Sequence, residues 1–369
     1  MRVAAVIGTR PEVIKLAPVI AELRRTAQAE TVVVSTGQHR ELLDQMLAQF
    51  ELATDVELGV MQPAQRLSDL TAELVRRLGD TLRMLKPDWV VVQGDTSTAL
   101  CAALAAFYEL VGVAHVEAGL RTGDYSAPFP EELNRRVVAT IASLHFCPTT
   151  ASAANLAAEA IPGEQVHVTG NTVIDALLWA VDHARRLAPP VRRTRARRIL
   201  LTLHRRESQG EAMRAVCTAV RALAARGDTE IVFPVHRNPA VRDVVLPSLA
   251  AVDGVQLCEP LDYLSFVHVL DSCDLVLTDS GGLQEEAPSL GKPVLVLRDT
   301  TERPEAVAAG VARLVGTNPD AIVSATSTLL DDPLAYAAMA RLENPFGDGL
   351  ASRRIVRTLA EQADRLRVA

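Results

Sequence analysis

The sequence predicts an α/β protein built as two doubly wound, parallel-sheet domains that face each other across a cleft. Three observations predict it. Short apolar β-type runs alternate with helical stretches from Val3 to Val315. Polar and acidic residues recur where those runs end, and open α/β sheets bind ligands at the carboxyl ends of their strands. The chain has 369 residues, too many for one ordinary core.

The elements follow in order. Val3 to Ile7 reads as a buried strand, and Gly8-Thr9-Arg10-Pro11-Glu12 opens a helix, with Pro11 suited to its first turn. Gly8 allows close approach, and Arg10 is placed to meet an anion. The loop lacks G-x-G-x-x-G, so a dinucleotide fingerprint is not supported. Thr31 to Ser35 is a second strand, followed by helices from Glu41 to about Phe50 and from Leu67 to Leu85. Trp89 to Val92 ends in Gln93-Gly94-Asp95-Thr96, and an Ala-rich helix, Ser97 to Tyr108, follows. Val113 to Val116 ends in Glu117, and the polar, aromatic loop Thr122 to Pro130 leads to Glu131-Glu132 at a helix start. Leu144 to Cys147 is a further strand. Glu12, Asp95, Glu117 and Glu131 thus recur at one sheet edge. A single acidic strand end is usually a helix N-cap; several together repel one another and call for a reason.

Val166 to Thr169 reads as the joint between the halves. The helix Val173 to Arg186 and the loop Pro189 to Arg198 follow, the loop's arginines reading as solvated. In the second half, Arg198 to Leu203 ends in His204-Arg205, and Glu230 to Val235 ends in His236. Val255 to Leu257 is short, and Leu261 to Leu270 has helical spacing with Phe266 on it. Leu275 to Leu277 runs into Thr278-Asp279-Ser280-Gly281-Gly282 and a helix carrying Glu285 and Glu286. Pro293 to Leu297 ends in a polar cluster through Arg303, and Ala312 to Val315 is the last strand. The predicted domains are residues 1–168, carrying the carboxylates, and 169–349, with a terminal helix at about 350–369 that packs back on the first.

Half the residues are hydrophobic, 22% are charged and the net charge is -7, which excludes a disordered chain and gives no sign of nucleic-acid binding. Five scattered cysteines form no C-x-x-C, which fits reduced thiols and neither a disulfide framework nor a zinc site. No apolar run approaches the roughly 20 residues of a membrane span. The first edge offers Arg10, Asp95, Glu117 and Glu131; the second offers His204, Arg205, His236, Ser280-Gly281-Gly282, Glu286 and Arg303. A nucleoside diphosphate on the second domain, its attached group reaching the acids of the first, is the assembly these sets suggest. Ser280-Gly281-Gly282 at a helix start suits a phosphate, although a tight structural turn also explains a bare SGG. Carboxylates in a partly dry site have raised pKa values and act as general acid and base.

GTRPE (8–12), QGDTSTAL (93–100), HVEAGLRTGD (115–124), PFPEELNRR (128–136), TGNTVIDAL (169–177), HRRES (204–208), PVHRNP (234–239) and TDSGGLQEEAPSLGKPVLVLRDTTERPEA (278–306) stand in order. With these motifs the chain resembles the non-hydrolysing UDP-N-acetylglucosamine 2-epimerases, from its first strand to NPFGDG (344–349). The resemblance implies a glycosyltransferase-B-like fold. It implies interconversion of UDP-GlcNAc and UDP-ManNAc through loss of UDP to 2-acetamidoglucal and its re-addition. It implies no cofactor and no metal, and a cytoplasmic homodimer with a UDP-sugar as partner and no nucleic acid or membrane.

Carried over residue by residue, Asp95, Glu117, Glu131 and His204 match the catalytic positions. Arg10, Phe266, Ser280, Gly281, Gly282, Glu286 and Arg303 match the UDP-binding ones, with Glu286 on the ribose hydroxyls and His204 on the diphosphate. Asp95 is favoured as the C2 base in one direction, with Glu117 and Glu131 as its counterpart. A second, activating UDP-GlcNAc site of the family resembles Gln38, Arg66, Glu132, Arg205 and His236. Three departures bear on these assignments: Glu41 where some regulated members carry glutamine, HRNP (236–239) in place of HLNP, and Leu203 before His204 where a small residue is usual. A related UDP-sugar, a hydrolysing epimerase, a glycosyltransferase and a non-catalytic sensor are the alternatives. Asp95, Glu117 and Glu131 discriminate, because a transferase or sensor has no reason to keep all three.

Overall fold

The computed structural model describes residues 1–37, 40–62, 64–205 and 208–368, without the side chains of 40–42 and 364–368. Its chain divides into two compact units: Met1–Ala176 with Phe346–Ala369, and Leu177–Pro345.

The first unit alternates β1 (Arg2–Ile7), α1 (Arg10–Arg25), β2 (Glu30–Ser35), α2 (Arg40–Gln49), β3 (Val56–Glu57), α3 (Leu67–Leu85) and β4 (Trp89–Gln93). It continues with α4 (Ser97–Tyr108), β5 (Gly112–Val116), α5 (Glu131–Ile141), β6 (Leu144–Cys147), α6 (Thr150–Ala158), β7 (Val166–Val168) and the start of α7 (Thr172–Ala184). The seven strands pair in the order β3-β2-β1-β4-β5-β6-β7, all parallel. Runs such as Trp89-Val90-Val91-Val92 are apolar at every position because helices cover both faces of a parallel sheet. Leu70, Leu74, Leu78 and Leu82 recur every four residues along α3 and bury against Val6, Val90 and Val92. The alanines of α4 let that helix pack closely in the same cluster.

The second unit completes α7 and follows with β8 (Arg197–Thr202), α8 (Glu211–Ala224), β9 (Thr229–Pro234), α9 (Pro239–Leu249), β10 (Val255–Cys258) and α10 (Tyr263–Ser272). It adds β11 (Leu275–Thr278), α11 (Gly281–Glu286), β12 (Val294–Val296), α12 (Pro304–Ala308), β13 (Ala312–Leu314), α13 (Pro319–Asp331) and α14 (Pro333–Ala340). Its parallel sheet runs β10-β9-β8-β11-β12-β13. Met213, Val216, Cys217, Val220 and Leu223 of α8 close one side of its core. The chain returns at Phe346, whose carbonyl accepts from the Asn171 N–H at 2.7 Å, and ends in α15 (Ala351–Val368), which packs on α1.

Three expectations are corrected. Val166–Val168 is no mere joint: it pairs with β6 as the seventh strand. Glu12 is no open strand-end acid. It lies in the capping box of α1, fully buried, and its carboxylate accepts from the Gly8 and Thr9 N–H groups and the Thr96 hydroxyl. The arginines of 192–198 are not uniformly solvated. Arg195 pairs with Asp253, and Arg198 is buried with Nε 2.6 Å from the equally buried Glu230. Arg198 and Glu230 stand opposite each other in the β8–β9 register, so each neutralises the other's charge.

Candidate active site

In the first unit, parallel strands bring their carboxyl ends to one edge. Gly94-Asp95 forms the turn between β4 and α4. Thr96 takes the N-cap, its hydroxyl accepting from the Ala99 N–H at 3.0 Å. Asp95 is therefore not spent on capping. Three side chains hold its turn: His115 Nε2 on the Gly94 carbonyl at 2.8 Å, Asn134 on the Asp95 carbonyl at 2.8 Å, and the Arg135 guanidinium on the Asp95 carboxylate. Burial, helped by the neighbouring Glu117 charge, pushes the Asp95 carboxyl above its ordinary value against the opposing pull of Arg135 and Lys15.

Glu117 ends β5 with φ 63°, a left-handed conformation that costs a non-glycine residue energy and persists where its surroundings impose it. The surroundings are polar and specific. Lys15 Nζ lies 2.5 Å from its buried carboxylate, Asn171 Nδ2 donates at 3.1 Å, and Gln93 donates from the end of β4. Glu131 is half-buried at the first position of α5. Arg10 is exposed at the first position of α1.

In the second unit, β8 and β11 are neighbours, so the residues after them meet. The buried Asp279 carboxylate accepts from the backbone N–H groups of His204 at 3.0 Å and Arg205 at 2.8 Å, and lies 3.2 Å from His204 Nδ1. Burial alone would raise the Asp279 carboxyl; the His204 and Arg205 hydrogen bonds outweigh it and hold it below its ordinary value. The His204 ring is partly exposed and stacks on His236 with centroids 6.2 Å apart. Ser280 precedes Gly281 and Gly282 at the start of α11. A side chain added at Gly281 would meet the guanidinium groups of Arg205 at 3.6 Å and Arg303 at 4.0 Å, and one at Gly282 would meet Glu286 at 3.8 Å. Ser280, Gly281, Gly282, Glu286, Arg303 and His204 are thus brought together. Phe266 sits half-buried in the first turn of α10.

Of the residues matched to a second site, Arg66 and Glu132 belong to the first unit and Arg205 and His236 to the second. Gln38 lies outside the described residues, as does the Glu41 side chain. Arg66 is exposed before α3. Glu132 is fully buried, its carboxylate taken by the Thr122 and Gly123 N–H groups and by Arg136. Arg205 pairs with Glu302 at 3.0 Å, and His236 is exposed. Among the described residues no group of three or more His, Cys, Asp or Glu could hold a metal ion.

Sequence reasoning passed over Lys15, Gln93, Asn171, Arg135 and Asp279. Gln93 and Asp279 carried a signal, each a polar residue directly at the end of an apolar strand. Arg135 and Asn171 stand inside the motifs at 128–136 and 169–177, while Lys15 comes from α1 and carried no signal.

The family model described as UDP-N-acetylglucosamine 2-epimerase matches residues 21–360. The chain belongs to the UDP-N-acetylglucosamine 2-epimerase family. It is 50% identical over 369 residues to a probable UDP-N-acetylglucosamine 2-epimerase of Ralstonia nicotianae, covering 97% of this chain and 98% of that one. The crystal structure of UDP-GlcNAc 2-epimerase from Neisseria meningitidis, bound to UDP-GlcNAc, superposes with a TM-score of 0.87 at 46% identity. That match covers 98% of this chain and all of the other. The glycosyltransferase SnogD of Streptomyces nogalater shares the fold alone, with a TM-score of 0.63 at 17% identity over 98% of this chain and 99% of that one. The family architecture is thus glycosyltransferase-B-like. No helix among the described residues of this family member is long and apolar enough to cross a membrane.

Proposed function

We propose that the chain interconverts UDP-N-acetylglucosamine and UDP-N-acetylmannosamine by inverting C2 of the sugar. One observation carries the reading: Asp95 and Glu117 end adjacent strands, close enough for each charge to act on the other, and Glu131 begins the helix that grips the Asp95 turn. Family membership and the UDP-GlcNAc-bound Neisseria relative support it.

The chemistry follows from acidity. The C2 proton is weakly acidic, so its removal must accompany departure of UDP. Asp95, made a stronger base by burial, takes the proton. The C2–H electron pair becomes the C1=C2 double bond of 2-acetamidoglucal, and the C1–O bond to the β-phosphate breaks. Glu117 or Glu131 then delivers a proton to the opposite face of C2 as UDP attacks C1. The second unit holds the leaving group. Ser280, Gly281 and Gly282 offer backbone donors, His204 and Arg303 offer side-chain donors for the diphosphate, and Glu286 accepts from the ribose hydroxyls. Arg10 and Phe266 complete the UDP contacts.

Proton NMR of the protein with UDP-GlcNAc in heavy water tests this. Deuterium at C2 and growing UDP-ManNAc signals are expected. Absence of C2 exchange sinks the reading, and release of free ManNAc with UDP would make the enzyme a hydrolysing one. An activating UDP-GlcNAc site built on Gln38, Arg66, Glu132, Arg205 and His236 needs Glu132 to leave its internal partners. Turnover from UDP-ManNAc that gains nothing from added UDP-GlcNAc rules it out. A homodimer suits the exposed Phe107, Tyr108 and Leu110 at the end of α4; a monomer by light scattering counters it. Five unpaired cysteines suit the reducing cytoplasm as the place of reaction.

A further inference from the structure

The Asp95 carboxylate has a direct partner that the chemistry above does not use. Arg135 lies one helical turn into α5. One guanidinium nitrogen, Nη2, bonds the Asp95 carboxylate; the other, Nη1, lies 3.4 Å from Glu132. Glu132 is anchored in turn. Its buried carboxylate accepts from the Thr122 N–H at 3.0 Å, the Gly123 N–H at 3.3 Å and Arg136 Nε at 3.0 Å. The remaining donor of Arg135, Nε, is buried with no hydrogen-bond partner among the described residues. An unpaired buried N–H costs free energy, so satisfying its own donors does not explain the orientation of this side chain. A lysine has no such planar fork and could not span both carboxylates in this way.

We propose that Arg135 is a positioning residue for the acid/base carboxylate of Asp95, bridging it to the buried anchor Glu132. The role rests on the reading of Asp95 as an acid/base group. With Asn134 on the Asp95 carbonyl, two consecutive residues of α5 fix both the main chain and the side chain of the turn. The aim of the carboxylate is then set by a helix and not by a loop. Arg135 also sets its proton affinity. The charged groups acting on Asp95 are Arg135 from α5, Glu117 from the end of β5 and Lys15 from α1. Arg135 and Lys15 favour the carboxylate and Glu117 opposes it. Removing Arg135 leaves Glu117 facing Asp95 with one cation fewer.

The test uses Arg135→Gln, which removes the charge, and Arg135→Lys, which keeps the charge and loses the fork. Asp95 is followed by carbon-13 NMR titration of the labelled carboxyl, assigned with Asp95→Asn, and kcat/KM is measured against pH. In R135Q both the Asp95 midpoint and the acid limb of kcat/KM move up by roughly 1–2 pH units. In R135K the midpoint stays near that of the wild type while kcat falls with KM and melting temperature little changed. An Asp95 midpoint unmoved in R135Q overturns the proposal. So does a loss of activity that leaves the limb in place, which is what damage to packing alone produces. If R135Q does not fold, R135K decides: undiminished kcat overturns the role. The titration needs no turnover, so it judges Arg135 separately. Wild-type protein that fails to exchange C2 refutes the epimerase reading without moving the midpoint.

Discussion

Asp279→Asn is the most informative single change in the second unit. Its carboxylate is fully buried and accepts from the N–H of His204 at 3.0 Å and of Arg205 at 2.8 Å, with His204 Nδ1 at 3.2 Å. Hydrogen bonds to a charged acceptor contribute about 1.5–3 kcal/mol each. Asparagine keeps the shape, loses the charge and turns an NH2 towards one of the donors. At least one charged bond is lost and one buried donor is left without an acceptor, so the unit loses about 2–4 kcal/mol. The effect should reach function, because the same carboxylate holds the loop that carries His204 and Arg205. UDP affinity is expected to fall at least tenfold, the equivalent of about 1.4 kcal/mol. Urea denaturation and calorimetric titration with UDP measure the two effects. There is also a pH signature. The folded carboxyl lies below its unfolded value, so its contribution is present above about pH 4 and lost as pH falls further. D279N should lack that component. A variant that melts and binds UDP like the wild type would refute the argument that Asp279 organises this strand end.

Three further outcomes follow from other parts of the chain. Arg198→Met should cost about 3–5 kcal/mol by denaturation, because it leaves Glu230 charged and buried, while Arg198→Met with Glu230→Leu recovers most of the loss. Burial holds His115 down to about 3 and His145 to about 4, both below their unfolded value. The stability they contribute is complete above about pH 6.5 and shrinks as pH falls, so denaturation midpoints between pH 7 and 5 should decline less in His145→Phe than in the wild type. Gly119→Ala at φ +86° drives a Cβ into the Ser152 carbonyl oxygen, whereas Gly123→Ala at φ +81° meets nothing within 4 Å. The second should cost about 1 kcal/mol and the first clearly more, read as melting temperatures.

Much of the strand-end layout was legible in the chain because parallel α/β architecture converts order into place. A polar residue just past an apolar run goes to one edge of its own sheet, so Asp95 could be grouped with Glu117, and His204 with Ser280, before any coordinates. Periodicity also located the strands and helices that carry them. The short β3 escaped notice because two residues carry no period. β7 read as a joint because an edge strand of three residues is only partly buried.

What the sequence by itself determined is therefore the layout: two parallel-sheet units, the polar strand ends and the motifs of the family. What only the tertiary structure decided is which charges touch. Glu12 and Asp95 look alike as acids near strand ends, yet one closes a capping box in the interior and the other is left to its partners beside Glu117. Arg135 and Arg136 are adjacent letters, but only Arg135 reaches the Asp95 carboxylate. Local spacing sets which edge or face of an element a residue occupies. Pairing at about 3 Å depends on elements that lie far apart in the chain and meet only through sheet order, as Lys15 and Glu117 do, and no local pattern records that meeting.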